Sequence, residues 1–86
     1  SFSLYQNFPN PFNPVTEIRF DLQKTGFVFL KVFDILGKEI GVLINEKMIA
    51  GSYSYKFNGS NLSSGTYFYR IESNEFRETK KMTLIK

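Results

Sequence analysis

The sequence predicts an all-β domain, an antiparallel β-sandwich of about seven short strands. Apolar and polar residues alternate with the period of two that marks half-buried strands. Turn-forming clusters of Gly, Asn, Asp and Ser recur at intervals of about 8–12 residues. No ten-residue stretch shows a convincing helical stripe, and Gly37 and Gly41 weaken the one candidate between residues 35 and 50.

The strands follow in order. Between Thr16 and Leu22, Ile18, Phe20 and Leu22 alternate with Glu17, Arg19 and Asp21, and Lys24-Thr25-Gly26 then reads as a hairpin turn. Phe27 to Asp34 places Val28, Leu30 and Val32 on one face and Phe27, Phe29, Lys31 and Phe33 on the other. That second face is more apolar than water alone favours, so cover by the N-terminal segment or by a parent domain is expected there. Asp34-Ile35-Leu36-Gly37 has the form of a type I turn, with Asp first and Gly last. Glu39 to Ile44 is a strand with Ile40, Val42 and Leu43 as inward candidates, and its broken alternation predicts a bulge. Glu46 to Gly51 reads as a connector across the sandwich, pinned by Ile49. Tyr53, Tyr55 and Phe57 alternate with Ser52, Ser54 and Lys56 until Asn58-Gly59 breaks the strand. The loop Asn61 to Gly65 offers Leu62 as a plug for one end of the core. Tyr67, Tyr69 and Ile71 alternate with Phe68, Arg70 and Glu72, and the turn Ser73-Asn74-Glu75 leads into a last strand, Phe76 to Ile85. Strands of this number and length suit an immunoglobulin-like sandwich.

Residues 1–14 form a Pro/Asn-rich lead-in packed on the sandwich of residues 15–86, the two making a single domain. Pro9, Pro11 and Pro14 fix φ and cannot donate to a ladder. Asn7, Asn10 and Asn13 can close local turns, and Phe8 and Phe12 are expected to tuck against the sandwich. A stiff interdomain linker is the other reading of this segment.

Composition bounds the chemistry. The chain has 86 residues and contains neither cysteine nor histidine. It therefore lacks a disulfide framework, the usual zinc ligands and the usual general base near neutral pH. Ten phenylalanines and five tyrosines supply the core instead. No run reaches the roughly 18–20 apolar residues that span a bilayer. No secretory leader opens the chain, so the leader of an exported protein is expected in a part of the parent that is not included here. No calcium-loop spacing, phosphate cradle or nucleophile elbow occurs, and no catalytic, metal-binding or cofactor-binding residue is assigned. Glu17 and Asp21 read as solubilising charge and Asp34 as a cap for its own turn. The chain is not read as an enzyme.

Net charge is +3 and lies at the end of the chain. Residues 1–76 balance seven basic groups against seven acidic ones, whereas Arg77, Lys80, Lys81 and Lys86 face Glu78 alone. Two readings stand for this tail, a soluble edge strand or a segment presented to a partner. Four cations make too small a footprint for nucleic acid. Tyr5, Phe29, Phe33 and Phe68 are candidates for stacking on sugars, with core or interface packing as the alternative.

Two segments are more specific than the alternation around them. One is Leu4-Tyr5-Gln6-Asn7-Phe8-Pro9-Asn10-Pro11-Phe12-Asn13-Pro14; the other runs from Gly65-Thr66-Tyr67-Phe68-Tyr69-Arg70-Ile71 to Lys80-Lys81-Met82-Thr83-Leu84-Ile85-Lys86. With Asp34-Ile35-Leu36-Gly37-Lys38-Glu39-Ile40 between them, they resemble the type A C-terminal sorting domain of the type IX (Por) secretion system of Bacteroidota, over Leu4 to Lys86. The resemblance implies an exported protein whose N-terminal cargo crosses the periplasm on its way to the outer-membrane surface or the medium. It implies recognition by translocon and shuttle proteins and removal by a sortase-like peptidase, with no direct membrane insertion. The family's end motif falls on Lys80, Lys81, Met82, Thr83, Leu84, Ile85 and Lys86, supported by Gly65, Tyr67 and Tyr69 and by Asn10, Pro11, Phe12, Asn13 and Pro14. A terminal edge strand over Phe76 to Lys86, with free backbone groups for strand addition and outward lysines, is the expected mechanism. An accessory or carbohydrate-binding module of a secreted enzyme is the alternative.

Overall fold

A computed structural model describes residues 2–86. Seven strands form two antiparallel sheets: β1 (Ser3–Leu4), β2 (Val15–Leu22), β3 (Gly26–Phe33), β4 (Glu39–Met48), β5 (Gly51–Asn58), β6 (Gly65–Ser73) and β7 (Phe76–Leu84). One sheet has the order β1-β2-β5 and the other β4-β3-β6-β7. The chain is all-β, as the alternation predicts.

Burial follows the period of two. Thr16, Ile18, Phe20 and Leu22 of β2 point inward, as do Val28, Leu30 and Val32 of β3 and Tyr67, Tyr69 and Ile71 of β6. Phe12, Phe57, Met82 and Leu84 complete the core between the sheets. The aromatic rings meet in favourable geometries, Phe20 stacked on Tyr53 at 5.6 Å and Phe12 edge-on to Phe57 at 6.1 Å. Leu62 packs against this core from the β5–β6 loop.

The Asp34 turn forms as expected. Its carboxylate accepts from the backbone N–H of Leu36 and Lys38, and its carbonyl accepts from Gly37 N–H. The predicted irregularity in β4 is also present: the register against β3 shifts between Leu30 and Lys31 and again between Val32 and Phe33.

Several expectations fail. Lys24-Thr25-Gly26 is not a hairpin turn, because β2 and β3 lie in different sheets and the segment crosses between them. The connector read at Glu46–Gly51 shrinks to Ile49 and Ala50, since β4 continues to Met48; Ile49 is 72% exposed and pins nothing. In β4 the bulges turn Val42 outward beside Lys31, while Leu43 and Ile44 pack on the core and Ile40 stays 38% exposed. Phe8 is 79% exposed even though Phe12 is buried. The N-terminal segment does not cover Phe29 and Phe33; it runs along β2 and then crosses to β7.

Candidate functional site

The last strand sits at one edge of the four-stranded sheet, paired with β6 through every residue from Phe76 to Leu84. Met82 and Leu84 are buried, which anchors the strand by its even-numbered side chains. Its odd-numbered residues aim their backbone groups at the outer rim, and there the lead-in is waiting. Phe12 N–H donates to Thr83 C=O at 3.0 Å, and Ile85 N–H donates to Phe12 C=O at 2.9 Å. Thr83 N–H donates to Asn10 Oδ1 at 2.9 Å, and the Gln6 amide donates to Lys81 C=O at 2.6 Å. Phe12 and Leu84 thus form a parallel bridge that joins the first and last segments of the chain.

A buried polar network holds the lead-in in place. Tyr69 is fully buried, and its hydroxyl accepts from Asn7 N–H and donates to Tyr5 C=O, both at 2.8 Å. Burial pushes its pKa up to about 12, opposed by the Asn7 bond and aided by nearby Glu78. The Asn7 side-chain amide reaches Pro9 C=O and Thr16 Oγ1, and the Thr16 hydroxyl donates to Pro9 C=O. Both side chains are almost wholly buried, so their mutual satisfaction removes the penalty of an orphaned polar group. The local turn expected of Asn7 forms through its bond to Pro9, whereas its buried bond to Thr16 and the contribution of Gln6 escaped the sequence reading. Their signal was available as amide and hydroxyl groups crowded among prolines that cannot donate.

The edge differs from the expectation of a fully free one. Among the described residues its rim is occupied at Lys81, Thr83 and Ile85, and unpartnered only at Arg77 and Thr79. The lysines differ too. Lys80 turns to the inner side, half-buried, with its ammonium 3.3 Å from the Glu78 carboxylate. Lys81 is exposed on the outer face beside Phe68. Lys86 binds back, its ammonium donating to Ser60 C=O and its N–H to Ser64 Oγ.

The supporting segments converge on this edge. Gly65 pairs with Leu84, its φ of +153° being a backbone state that side chains resist. The Tyr67 hydroxyl donates to Ser63 C=O, which steadies the β5–β6 loop. Asn10 serves a partner 73 residues away instead of closing a local turn. Pro14 C=O accepts from Gly59 N–H, while Pro11 and Asn13 are exposed.

The four rings proposed for sugar stacking do not form one site. Phe29, Phe33 and Phe68 share the outer face of the four-stranded sheet, whereas Tyr5 lies beside β2, bonded to Asp21. That bond raises the Tyr5 pKa and lowers that of Asp21. Cations already cover three of the rings: Arg70 over Phe33 at 4.4 Å, Lys31 over Phe29 at 5.0 Å and Arg19 over Tyr5 at 5.3 Å. Among the described residues no cluster of three metal-ligating side chains occurs, and no helix is long and apolar enough to cross a membrane.

Comparison with solved structures finds the same architecture in the crystal structure of dimeric latent PorU from Porphyromonas gingivalis. The TM-score is 0.73 at 19% identity, over 95% of this chain and 9% of that one. The match establishes an immunoglobulin-like fold and shows that the chain spans under a tenth of that protein's length. No curated protein sequence matches. A family model described as a secretion system C-terminal sorting domain matches residues 6–86. From the prolines of the lead-in to its last lysine, the chain belongs to the family of secretion system C-terminal sorting domains.

Proposed function

We propose that this domain is read by the type IX translocon at the β7 edge, with Lys80, Lys81, Met82, Thr83, Leu84, Ile85 and Lys86 as the recognised segment. As a member of its family it is a C-terminal sorting signal for an exported protein. The observation that carries the finer reading is the division of labour along β7. Met82 and Leu84 fasten the strand in the core, the lead-in closes the rim at Lys81, Thr83 and Ile85, and Arg77 to Thr79 keeps an open rim flanked by cations. An extended segment of a receptor can add to that open half through backbone hydrogen bonds. Lys81 and Arg77 steer the approach and set register more than they add affinity.

Gly65, Tyr67 and Tyr69, with Asn10, Pro11, Phe12, Asn13 and Pro14, act as supports that present the segment. The fused cargo lies on the N-terminal side, and a sortase-like peptidase separates it from the domain after passage. The domain itself takes no chemical step, needs no cofactor and does not insert in the membrane. The carbohydrate-binding alternative is weakened, because Phe29 and Phe33 carry cations on their faces and Tyr5 lies on the other sheet.

The test is export of a fluorescent reporter, made with an ordinary leader and residues 1–86 at its C-terminus, in a bacterium with the type IX apparatus. Lys80→Glu with Lys81→Glu should leave the reporter in the periplasm while circular dichroism shows an intact sandwich. Normal surface delivery of that folded double variant would sink the assignment of these lysines.

A further inference from the structure

The two outer faces of the sandwich differ sharply in chemistry. On the three-stranded sheet, Glu17, Arg19 and Asp21 of β2 stand beside Lys56, Ser54 and Ser52 of β5, and the charges cancel. On the four-stranded sheet, Phe33 of β3 faces Phe68 of β6, and one step along β3 beyond Lys31 the half-buried Phe29 packs on the exposed Phe27 at 5.2 Å. Around these rings lie five basic groups, Lys31, Lys47, Arg70, Arg77 and Lys81, against two acidic ones, Glu39 and Glu72. The remaining charges of the chain balance, so this one face carries the whole net charge of +3. Lys31 and Arg70 are engaged with Glu39 at 3.8 Å and Glu72 at 2.7 Å, which leaves Lys47, Arg77 and Lys81 uncompensated at the margins.

We propose that the outer face of the four-stranded sheet, with Phe29, Phe33 and Phe68 framed by Lys47, Arg77 and Lys81, is a second docking surface that receives an acidic protein surface. Charge complementarity selects the sign of the partner. The mixed pattern selects its class. Glu39 and Glu72 stand among the cations and repel a uniformly anionic bilayer, whereas a protein can match both signs position by position. Lys31 and Arg70 stand over the half-buried Phe29 and Phe33, so those two rings do not offer bare faces to sugars. Four strands about 4.8 Å apart and about eight residues long give a face of roughly 500 Å². That is below the roughly 800 Å² per partner of a stable complex, so the contact is brief and electrostatically steered. It is centred on β3 and β6, meets the β7 edge only at Arg77 and Lys81, and suits a carrier that holds the domain while its terminal edge is read; in this the inference rests on the sorting role.

The experiment is a titration of the isotope-labelled 86-residue domain, followed by amide shifts, with a soluble peptide that presents glutamates flanked by leucines. Shifts at Phe29, Phe33, Phe68, Arg77 and Lys81, with none at Arg19 or Lys56, are expected. Lys47→Glu with Arg77→Glu should weaken binding about tenfold at low salt. Shifts scattered over the loops, or a face that responds to phosphatidylglycerol vesicles and not to the peptide, overturn the proposal. In the export assay Lys47→Glu alone, on β4 and away from the β7 rim, should reach the surface more slowly than the wild-type reporter. If the wild type is exported and the folded variant keeps pace, the docking surface is refuted and the sorting role stands. If the wild-type reporter itself is not exported, the sorting role fails while the titration still decides the face.

Discussion

The Tyr69 hydroxyl ties two residues of the lead-in to one buried atom, since it accepts from Asn7 and donates to Tyr5 inside the core. Tyr69→Phe keeps the ring and orphans a buried N–H, so it should cost about 1–3 kcal/mol in urea unfolding. Its titration has a definite sign. The folded pKa of about 12 lies above the ordinary value of 10.0, so the folded state holds the proton more tightly. That contribution is full below pH 10.0 and is lost as pH rises toward about 12, where a tyrosinate can no longer donate to Tyr5. Wild-type stability should fall through that window, and the fall should be smaller in Tyr69→Phe. Phe12→Ala removes a ring with 2% exposure and should cost about 3–5 kcal/mol in a thermal melt. That is comparable to the entire stability of a small domain, about 0.05–0.15 kcal/mol per residue. Gly59 is constrained for the same reason: a Cβ there would lie 3.2 Å from Leu84 and 3.4 Å from Phe12, the two residues of the bridge.

Among the strands, β7 is an edge that behaves as two. Its rim is bonded at Thr83 and Ile85 and open at Arg77 and Thr79. In hydrogen exchange the amides of Thr83 and Ile85 should be protected and those of Arg77 and Thr79 fast, although all four lie on the same side of one strand. Asn10→Ala should release Thr83 alone and cost about 1 kcal/mol. Strand identity was legible because alternation reports which face is buried, and β2, β5 and β6 obey it closely. The irregularity of β4 was legible for the same reason. Sheet membership was not. Lys24-Thr25-Gly26 has hairpin composition, yet composition is silent on whether the next strand pairs with the last or crosses to the other sheet. Ile49 and Phe8 were misread because an apolar residue in a connector has no period to assign it a face. Phe8 and Phe12 have equal hydrophobicity, and only the approach of Leu84 and Phe57 distinguishes them.

At the scale of the whole molecule, the domain measures 36 × 23 × 17 Å with a radius of gyration of 12.5 Å. The margins of its sandwich are unlike. The lead-in closes one side between β2 and β7, whereas β4 and β5 leave a groove of about 140 Å³ lined by Val32, Ile40, Leu43, Phe57 and Leu62 on the other. Two of the three segments that carry the family resemblance, the lead-in and the last strand, meet on the closed side, whereas Asp34 to Ile40 leads into β4 at the opposite margin. The uneven charge was legible as a basic tail, but its placement on one face required the register of all four strands. Deleting residues 77–86 should therefore abolish the fold and not merely a signal. Far-ultraviolet dichroism of residues 1–76 should show loss of sheet, where a self-sufficient six-stranded body would keep it.

The bridge between Phe12 and Leu84 has a consequence for biosynthesis. Phe12 emerges from the ribosome long before Leu84, and its buried site does not exist until Leu84 has been added. A chain interrupted by premature termination or proteolysis anywhere before that point cannot close the sandwich, however well the preceding cargo has folded. The closed domain is thus a physical record that the chain was made intact from Phe12 through Leu84, and a reader of its folded edge would pass over chains broken before that point without inspecting the cargo at all.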